Sequence, residues 1–413
     1  MLAVAKSNLM NHVSIKSNQC LAICPACGLL CDDVLVENNN NKIKVLTNGC
    51  AKSVAFFEQS SGNLSSKIAG EPVPLQQAIT EAAHILKQAK SPLFSGLSTD
   101  VANFRAIYHL AQKTSGNLQH LNALSMTRNL AVLQSTGWQT TTLTEVKNRA
   151  DVIVCIGTDI VKHNPRFFER FVWVENAMFT DANQRKIIYI GENIDTNPAI
   201  SPLMKSPSLL ACRAADLPEV TLVLRALVAG KRLKASLVAG IKVSDLQAVA
   251  DKLKTAQYSV LTWVAKDLDF PHAELTIQNI TETVAILNQT TRAAGLPLGG
   301  SDGDTSANNA NTWLNSTTLN YEPFEHDCMV WLNSFNADKL PPTSDYPLIV
   351  FGNANSQLIT PPAVFIPIAT PGLDCNGTLF RVDSSVILPL KKLRKSDLPT
   401  LSEVVNKIEA LLA

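Results

Sequence analysis

The chain has 413 residues, 46% hydrophobic and only 17% charged, a balance that excludes intrinsic disorder and supplies a large core. With 36 Lys plus Arg against 35 Asp plus Glu, the net charge is +1, which excludes recognition of nucleic acid or of a membrane surface through global charge. At roughly 150 residues per domain, the length predicts two or three domains.

Residues 1–18 read as a flexible polar leader; Lys6 interrupts it, and it contains no apolar block of secretory-signal length. A compact cysteine unit is expected over 19–74. Within it, 33–36 and 42–45 are short β segments joined by the Asn-rich turn 37–41, and the residues after Cys50 are helical. An alternation of buried strands and helices follows: strand 92–97, helix 100–113, strand 151–157, a helix after Pro165 and strand 186–191. Helices are then expected over 216–229 and 244–255. A second alternating set comprises strand 258–264, helix 273–287, strands 346–352 and 364–368, and 380–390. This rhythm, with Gly157, Gly191 and Gly352 closing apolar runs, predicts an α/β fold with doubly wound parallel sheets. The expected units are 75–230 and 231–390, with a C-terminal helix in 391–413. Gly/Asn-rich residues 295–311 read as a loop, either plain surface or a ligand-contacting loop at a sheet edge. No apolar run approaches the ~20 residues of a membrane span, and a cytoplasmic location is expected.

Five of the nine cysteines fall within the first 50 residues. In a reducing compartment, grouped cysteines read as metal ligands or redox centres. Cys24, Cys27, Cys31 and Cys50 have the spacing C-x2-C-x3-C-x18-C. Four thiolates suit a [4Fe–4S] cluster, one per iron, and the short spacings let one loop wrap three corners. Tetrahedral zinc is the alternative, although zinc ribbons favour two C-x2-C knuckles; plain packing is the third reading. Cys20 is a fifth thiol that leaves the ligand choice open.

With Lys52 two residues past the fourth cysteine, this constellation resembles the N-terminal domain of molybdenum and tungsten bis-pterin oxidoreductases. There a nearby Lys helps couple cluster and pterin; a solvated surface lysine is the plainer reading. Several further segments resemble the B subunit of formylmethanofuran dehydrogenase, and more narrowly its bacterial relative in the formyltransferase/hydrolase complex of methylotrophs. They are CPACGLLCDDV at 24–34, GWQTTTLTEV at 137–146 leading to NRAD at 148–151, NPRFFER at 164–170, IPIATPGLD at 366–374 and LFRVD at 379–383. The resemblance spans about 20–390. It implies the molybdopterin oxidoreductase fold of formate dehydrogenase and DMSO reductase without its C-terminal barrel: a small iron–sulfur type domain followed by two Rossmann-like units.

In archaeal members of that family the metal is held by a Cys or selenocysteine followed by His, ahead of the segment matching Gly137-Trp138. Here that region, 120–130, contains Ser125 and Met126 and no cysteine. Neither replaces a soft thiolate, and both read more simply as packing and turn residues. A bis-pterin tungsten or molybdenum cofactor is therefore not expected. The resemblance implies a redox-inactive B subunit in tetrahydromethanopterin-linked one-carbon oxidation, from formyl carrier to formate. Its expected partners are amidohydrolase-like A, C and formyltransferase D subunits, and a methanofuran-type carrier. The alternative is a working tungsten or molybdenum dehydrogenase that uses the four cysteines for a cluster. His163 with Arg166 and Arg170 follows a strand end, where a basic corner suits an anionic group such as a pterin phosphate; ordinary ion pairs are the competing reading. Arg381 and Asp383 are expected to pair internally, and 322–327 to be a loop.

Overall fold

The computed structural model describes residues 16–319 and 321–413, so the expected leader lies outside the described residues except for its last three. The cysteine unit opens with a three-stranded antiparallel sheet, Gln19–Ala22, Val34–Asn39 and Lys42–Thr47. Its hairpin turns on Asn40 and Asn41, at φ 51° and 71°. Two successive left-handed residues make a tight turn whose twist matches the strands, and Asn tolerates that region better than most side chains. The strands therefore run further into the Asn-rich stretch than its composition predicts. Helix Ala51–Phe57 completes the unit.

Two larger sheets follow among the described residues. One is wholly parallel, in the order Ser208–Leu210, Lys186–Ile190, Val152–Ile156, Ser259–Val264, Ala293–Leu298. The other runs Glu71–Val73, Ser66–Ile68, Val364–Pro367, Leu348–Gly352, Cys328–Asn333, Pro92–Ser98, Asn117–His120. It is parallel apart from the edge hairpin Ser66–Ile68/Glu71–Val73. Helices Leu217–Val228, Val243–Thr255 and Glu274–Leu287 bury their apolar faces in the core of the first sheet. Helices Leu75–Gln88, Val101–Lys113 and Leu401–Leu412 do so in the core of the second. Strands covered on both faces read as continuous apolar runs, the pattern by which the sequence reveals them.

Sheet membership cuts across the expected division at residue 230. Pro92–Ser98 and Asn117–His120 pair into the sheet completed by residues 328–367, whereas Ser259–Val264 and Ala293–Leu298 complete the one begun at 152. The five-stranded sheet is thus inserted within the seven-stranded one. Hydrophobic periodicity locates a strand, but its neighbour is chosen by long-range packing that no local window contains.

Three smaller expectations are corrected. Residues 295–311 are the end of strand Ala293–Leu298, a glycine turn, and most of helix Asp304–Asn315. The helix expected after Pro165 is a five-residue π turn, Phe168–Val172. Residues 380–390 belong to a hairpin, Gly377–Phe380/Ile387–Leu390. The C-terminal helix begins at Leu401, where Thr400 Oγ1 accepts from Glu403 N and the Glu403 carboxylate accepts from Thr400 N. Among the described residues, no helix is long and apolar enough to cross a membrane.

Ahead of that helix, the segment around 391–395 binds the cysteine unit: Asn38 Nδ2 donates to Leu393 O at 2.7 Å and Lys395 N to Asn41 Oδ1 at 2.7 Å. Arg394 is buried there, with Nε 2.7 Å from Asp374 Oδ1 and Nη1 2.7 Å from Gln59 O. Arg394→Ala leaves Asp374 as an unpaired buried charge. Urea unfolding is expected to show a loss of about 3–5 kcal/mol, whereas an exposed-lysine control such as Lys231→Ala stays near wild type.

Candidate functional site

The carboxyl ends of strands from both sheets converge, the usual place for ligands in open α/β folds. His120 closes Asn117–His120, His163 lies beyond Val152–Ile156, Lys266 follows Ser259–Val264, and Gly299 to Ser301 follow Ala293–Leu298. Two cavities, about 330 and 480 Å³, meet there and share His163, Lys266, Gly299 and Ser301 as walls. The cysteine loop lies against the larger one through Pro25 and Ala26.

Cys24, Cys27 and Cys31 are buried, and Cys50 is half-buried at the head of helix Ala51–Phe57. The chain folds back across the loop through Cys24 N to Cys31 O, 2.9 Å. Burial raises the Cys24 and Cys27 thiols, and the backbone N–H groups of Ala26 and Leu29 pull them partly back. Burial above all, with Cys27, Cys31 and Cys50 adding to it, pushes the Cys24 thiol well up. Burial likewise pushes Cys31 up to about 11, although Arg170 and Arg166 pull it back. Each of these thiols therefore senses others of the set. Among the described residues, no three His, Cys, Asp or Glu side chains converge closely enough to hold a single metal ion.

The loop is fastened by a close backbone approach. A Cβ added to Gly28 would lie 2.7 Å from Val382 Cβ, 2.8 Å from Gly299 O and 2.9 Å from Gly300 Cα. Gly28 O also accepts from Val382 N at 2.9 Å. Charge fastens it as well. The Arg166 fork meets Asp33 at 2.7 and 2.8 Å and also binds Glu169, while Arg170 reaches Asp32 and Asp33. Burial alone would raise the Asp33 pKa, but Arg166 and Arg170 outweigh it and hold the carboxyl below its usual range.

Of the residues singled out in the sequence, Lys52 and His163 come together with the cysteines. Lys52 Nζ donates to His163 O at 2.8 Å, lines the larger cavity, and its charge acts on Cys27. The His163 ring lies 2.7 Å from Asp267 Oδ1, whose other oxygen accepts from Thr158 Oγ1 at 2.7 Å. Arg166 does not line either cavity. Its donors are taken by Asp33 and Glu169, so it clamps the cysteine loop rather than facing a ligand. Ser125 and Met126 both line the smaller cavity, at the start of helix Ala123–Ser135, where Ser125 Oγ donates to Asn122 O. Arg381 pairs with Asp383, which accepts from Leu143 N and pins the hairpin to helix Leu143–Arg149. In the stretch 322–327, Asp327 caps the backbone of Lys90 and Ser91.

Sequence reasoning missed Asn122, Lys266 and Asn164. Lys266 Nζ donates to Asn122 Oδ1 at 3.1 Å, and Asn122 Nδ2 reaches Asp304 Oδ2 at 3.2 Å. Beside them, Nδ1 of buried His120 accepts from Asn122 N at 3.0 Å, which leaves the ring proton on Nε2, facing Asp302 O. Burial depresses the His120 pKa, so the ring is neutral. The available signal was a polar residue two positions past a strand end, Asn122 after His120 and Lys266 after Val264.

No protein-family model matches the chain. The B subunit of the tungsten-containing formylmethanofuran dehydrogenase 2 of Methanococcus maripaludis is 23% identical over 431 residues, 94% of this chain and 98% of its own. That of Methanocaldococcus jannaschii is 23% identical over 406 residues, 90% and 92%. The B subunit of the formyltransferase/hydrolase complex of Methylorubrum extorquens is 31% identical over 94 residues, 23% of this chain and 26% of its own. A chain of the crystal structure of that complex with methylofuran matches at TM-score 0.69 and 22% identity, covering 84% of this chain and 98% of that one. Acetylene hydratase from Pelobacter acetylenicus matches at TM-score 0.62 and 9% identity, covering 95% and 69%. The resemblance to the formylmethanofuran dehydrogenase B subunit is borne out over nearly the whole chain, and the two structural matches show a shared fold.

The Asp33 clamp has a signed pH dependence. A carboxyl depressed in the folded state stabilises fully above its unfolded value, about 3.9, and loses that contribution as pH falls through the folded value. Asp33→Asn is therefore expected to lower the urea midpoint at pH 7, and the gap to wild type is expected to narrow towards pH 3.

Proposed function

We propose that the chain is a B-type subunit of a formyltransferase/hydrolase complex of one-carbon oxidation, carrying an iron–sulfur cluster but performing no redox step of its own. In this reading a formyl group passes from a tetrahydromethanopterin carrier to a furan carrier on a formyltransferase D subunit. Amidohydrolase-like A and C subunits then release it as formate. The observation that carries the reading is the wall of the smaller cavity at Ser125 and Met126. The sulfur lining that cavity is the Met126 thioether, which lacks the charge and softness of the thiolate that binds tungsten or molybdenum. The residues present do not fit that metal.

The cysteine loop fits a [4Fe–4S] cluster better than a mononuclear ion. Cys24, Cys27, Cys31 and Cys50 carry the spacing C-x2-C-x3-C-x18-C, and a cubane takes one thiolate per iron. Lys52, Arg166 and Arg170 act on these thiols, so the negative charge of four thiolates would have cations around it. The fold likeness to acetylene hydratase supports reading the two sheets and the cysteine unit as the molybdopterin oxidoreductase arrangement, and a cytoplasmic location goes with it.

A second reading, a working tungsten or molybdenum dehydrogenase, is favoured by the line from Cys27 through Lys52 to the larger cavity. Metal analysis of the complex co-expressed with its partner subunits separates the two. The expected result is four irons per chain, no stoichiometric tungsten or molybdenum, and formate release that disappears with the partners. Stoichiometric tungsten or molybdenum with dye-linked oxidation of the formylated furan carrier would overturn the redox-silent reading. Cys27→Ser is expected to remove the iron while formate release in the assembled complex persists.

A further inference from the structure

Three parts of the fold wall the larger cavity. Lys52 and Phe56 come from helix Ala51–Phe57, Phe335 follows strand Cys328–Asn333, and Lys266 and Asp302 follow strands Ser259–Val264 and Ala293–Leu298. Asp302 is only 9% exposed, and its backbone is fixed by His120 Nε2, 3.2 Å from Asp302 O. No described residue donates a hydrogen bond to its carboxylate. A carboxylate so far from bulk water is costly unless something of opposite charge meets it.

The cations of this cavity are equally uncommitted. An ammonium carries three N–H donors, and each lysine uses one of them within the protein. Lys52 Nζ donates to His163 O at 2.8 Å, and Lys266 Nζ to Asn122 Oδ1 at 3.1 Å. Neither forms an ion pair with a described carboxylate, Asp302 included. Opposite charges that line one cavity yet stay beyond pairing distance complement a molecule that carries both signs. Phe56 and Phe335, with ring centroids 6.3 Å apart, supply an apolar wall beside them. The volume, about 480 Å³, is that of a small-molecule site.

We propose that the larger cavity binds a free α-amino acid with an apolar side chain. Its ammonium meets Asp302, its carboxylate meets Lys52 and Lys266, and its side chain packs on Phe56 and Phe335. A simple carboxylate leaves Asp302 unpaired, and a simple amine faces two lysines without an answering charge. The charges involved depend neither on a bound cluster nor on partner subunits.

The test is calorimetric titration of the full-length protein, in its complex where partners co-purify, with three probes of one shape: L-phenylalanine, 3-phenylpropanoate and 2-phenylethylamine. L-Phenylalanine is expected to bind at a single site per chain. Each analogue, lacking one charge, is expected to bind about tenfold more weakly or worse. Asp302 lies at φ 57°, a region that Asn also tolerates, so Asp302→Asn keeps the backbone. It is expected to weaken L-phenylalanine about tenfold and to leave 3-phenylpropanoate no weaker, whereas Lys266→Gln weakens both. Absence of L-phenylalanine binding, an analogue that binds as tightly, or an Asp302→Asn protein with unchanged affinity overturns the proposal. Iron content and formate release, measured on the same samples, respond to neither result, so failure here leaves the proposed function standing.

Discussion

The cysteine loop can lie against the cavity wall only where three backbones approach without side chains between them. Gly28 meets Gly299 and Gly300 at separations that leave no room for a Cβ on Gly28 or on Gly300. Gly299 and Gly300 hold φ of +108° and +62°, left-handed values that favour glycine. Because Gly299 faces Gly28 on one side and both cavities on the other, the distance from thiols to cavities is fixed by backbone rather than by mobile side chains. Asn164 holds Gly299 through both atoms of its carboxamide, and Val382 N ties Gly28 O to the C-terminal hairpin. A larger residue at Gly28 would push on Val382, Gly299 and Gly300 together.

Electrostatics closes the same joint from the outside. Arg166 is only 5% exposed, and a charge that far from water needs partners on most of its donors. It finds them on Asp33, from the cysteine loop, and on Glu169, three residues along its own segment. The π turn Phe168–Val172 buries Phe168, Phe171 and Val172, while Arg170 points back to the same loop. A fork that is planar and bidentate fixes orientation as well as distance. The basic corner after the second apolar strand thus serves attachment of the cysteine loop.

Much of this was legible in the sequence, and what was not has a physical cause. Buried parallel strands such as Val152–Ile156 and helices such as Val101–Lys113 follow from continuous apolar runs and helical periodicity, and lie where expected. Their grouping into sheets does not, because the pairing of Cys328–Asn333 with Pro92–Ser98 spans more than 200 residues. The cysteine spacing and the lysine after it are visible in the sequence, whereas Arg166 reads as facing a ligand because the sequence does not reveal that Asp33 lies opposite. Asn164 entered only as the first residue of the stretch 164–170, and its bonds to Gly299 are not visible in the sequence.

The site combines cysteines that persist with a cavity wall that lacks one, and burial accounts for the difference. Cys24, Cys27 and Cys31 belong to the same core cluster as Leu29, Leu30, Phe56 and Phe57. A buried thiol acts as a small hydrophobe, so replacing one disturbs packing and the close approach at Gly28, whether or not a cluster is bound. Ser125 and Met126 line the smaller cavity, and Met126 also packs against the core of the seven-stranded sheet. The four cysteines therefore weigh little against a redox-silent role, and the decisive quantity is the metal content of the assembled complex rather than their presence.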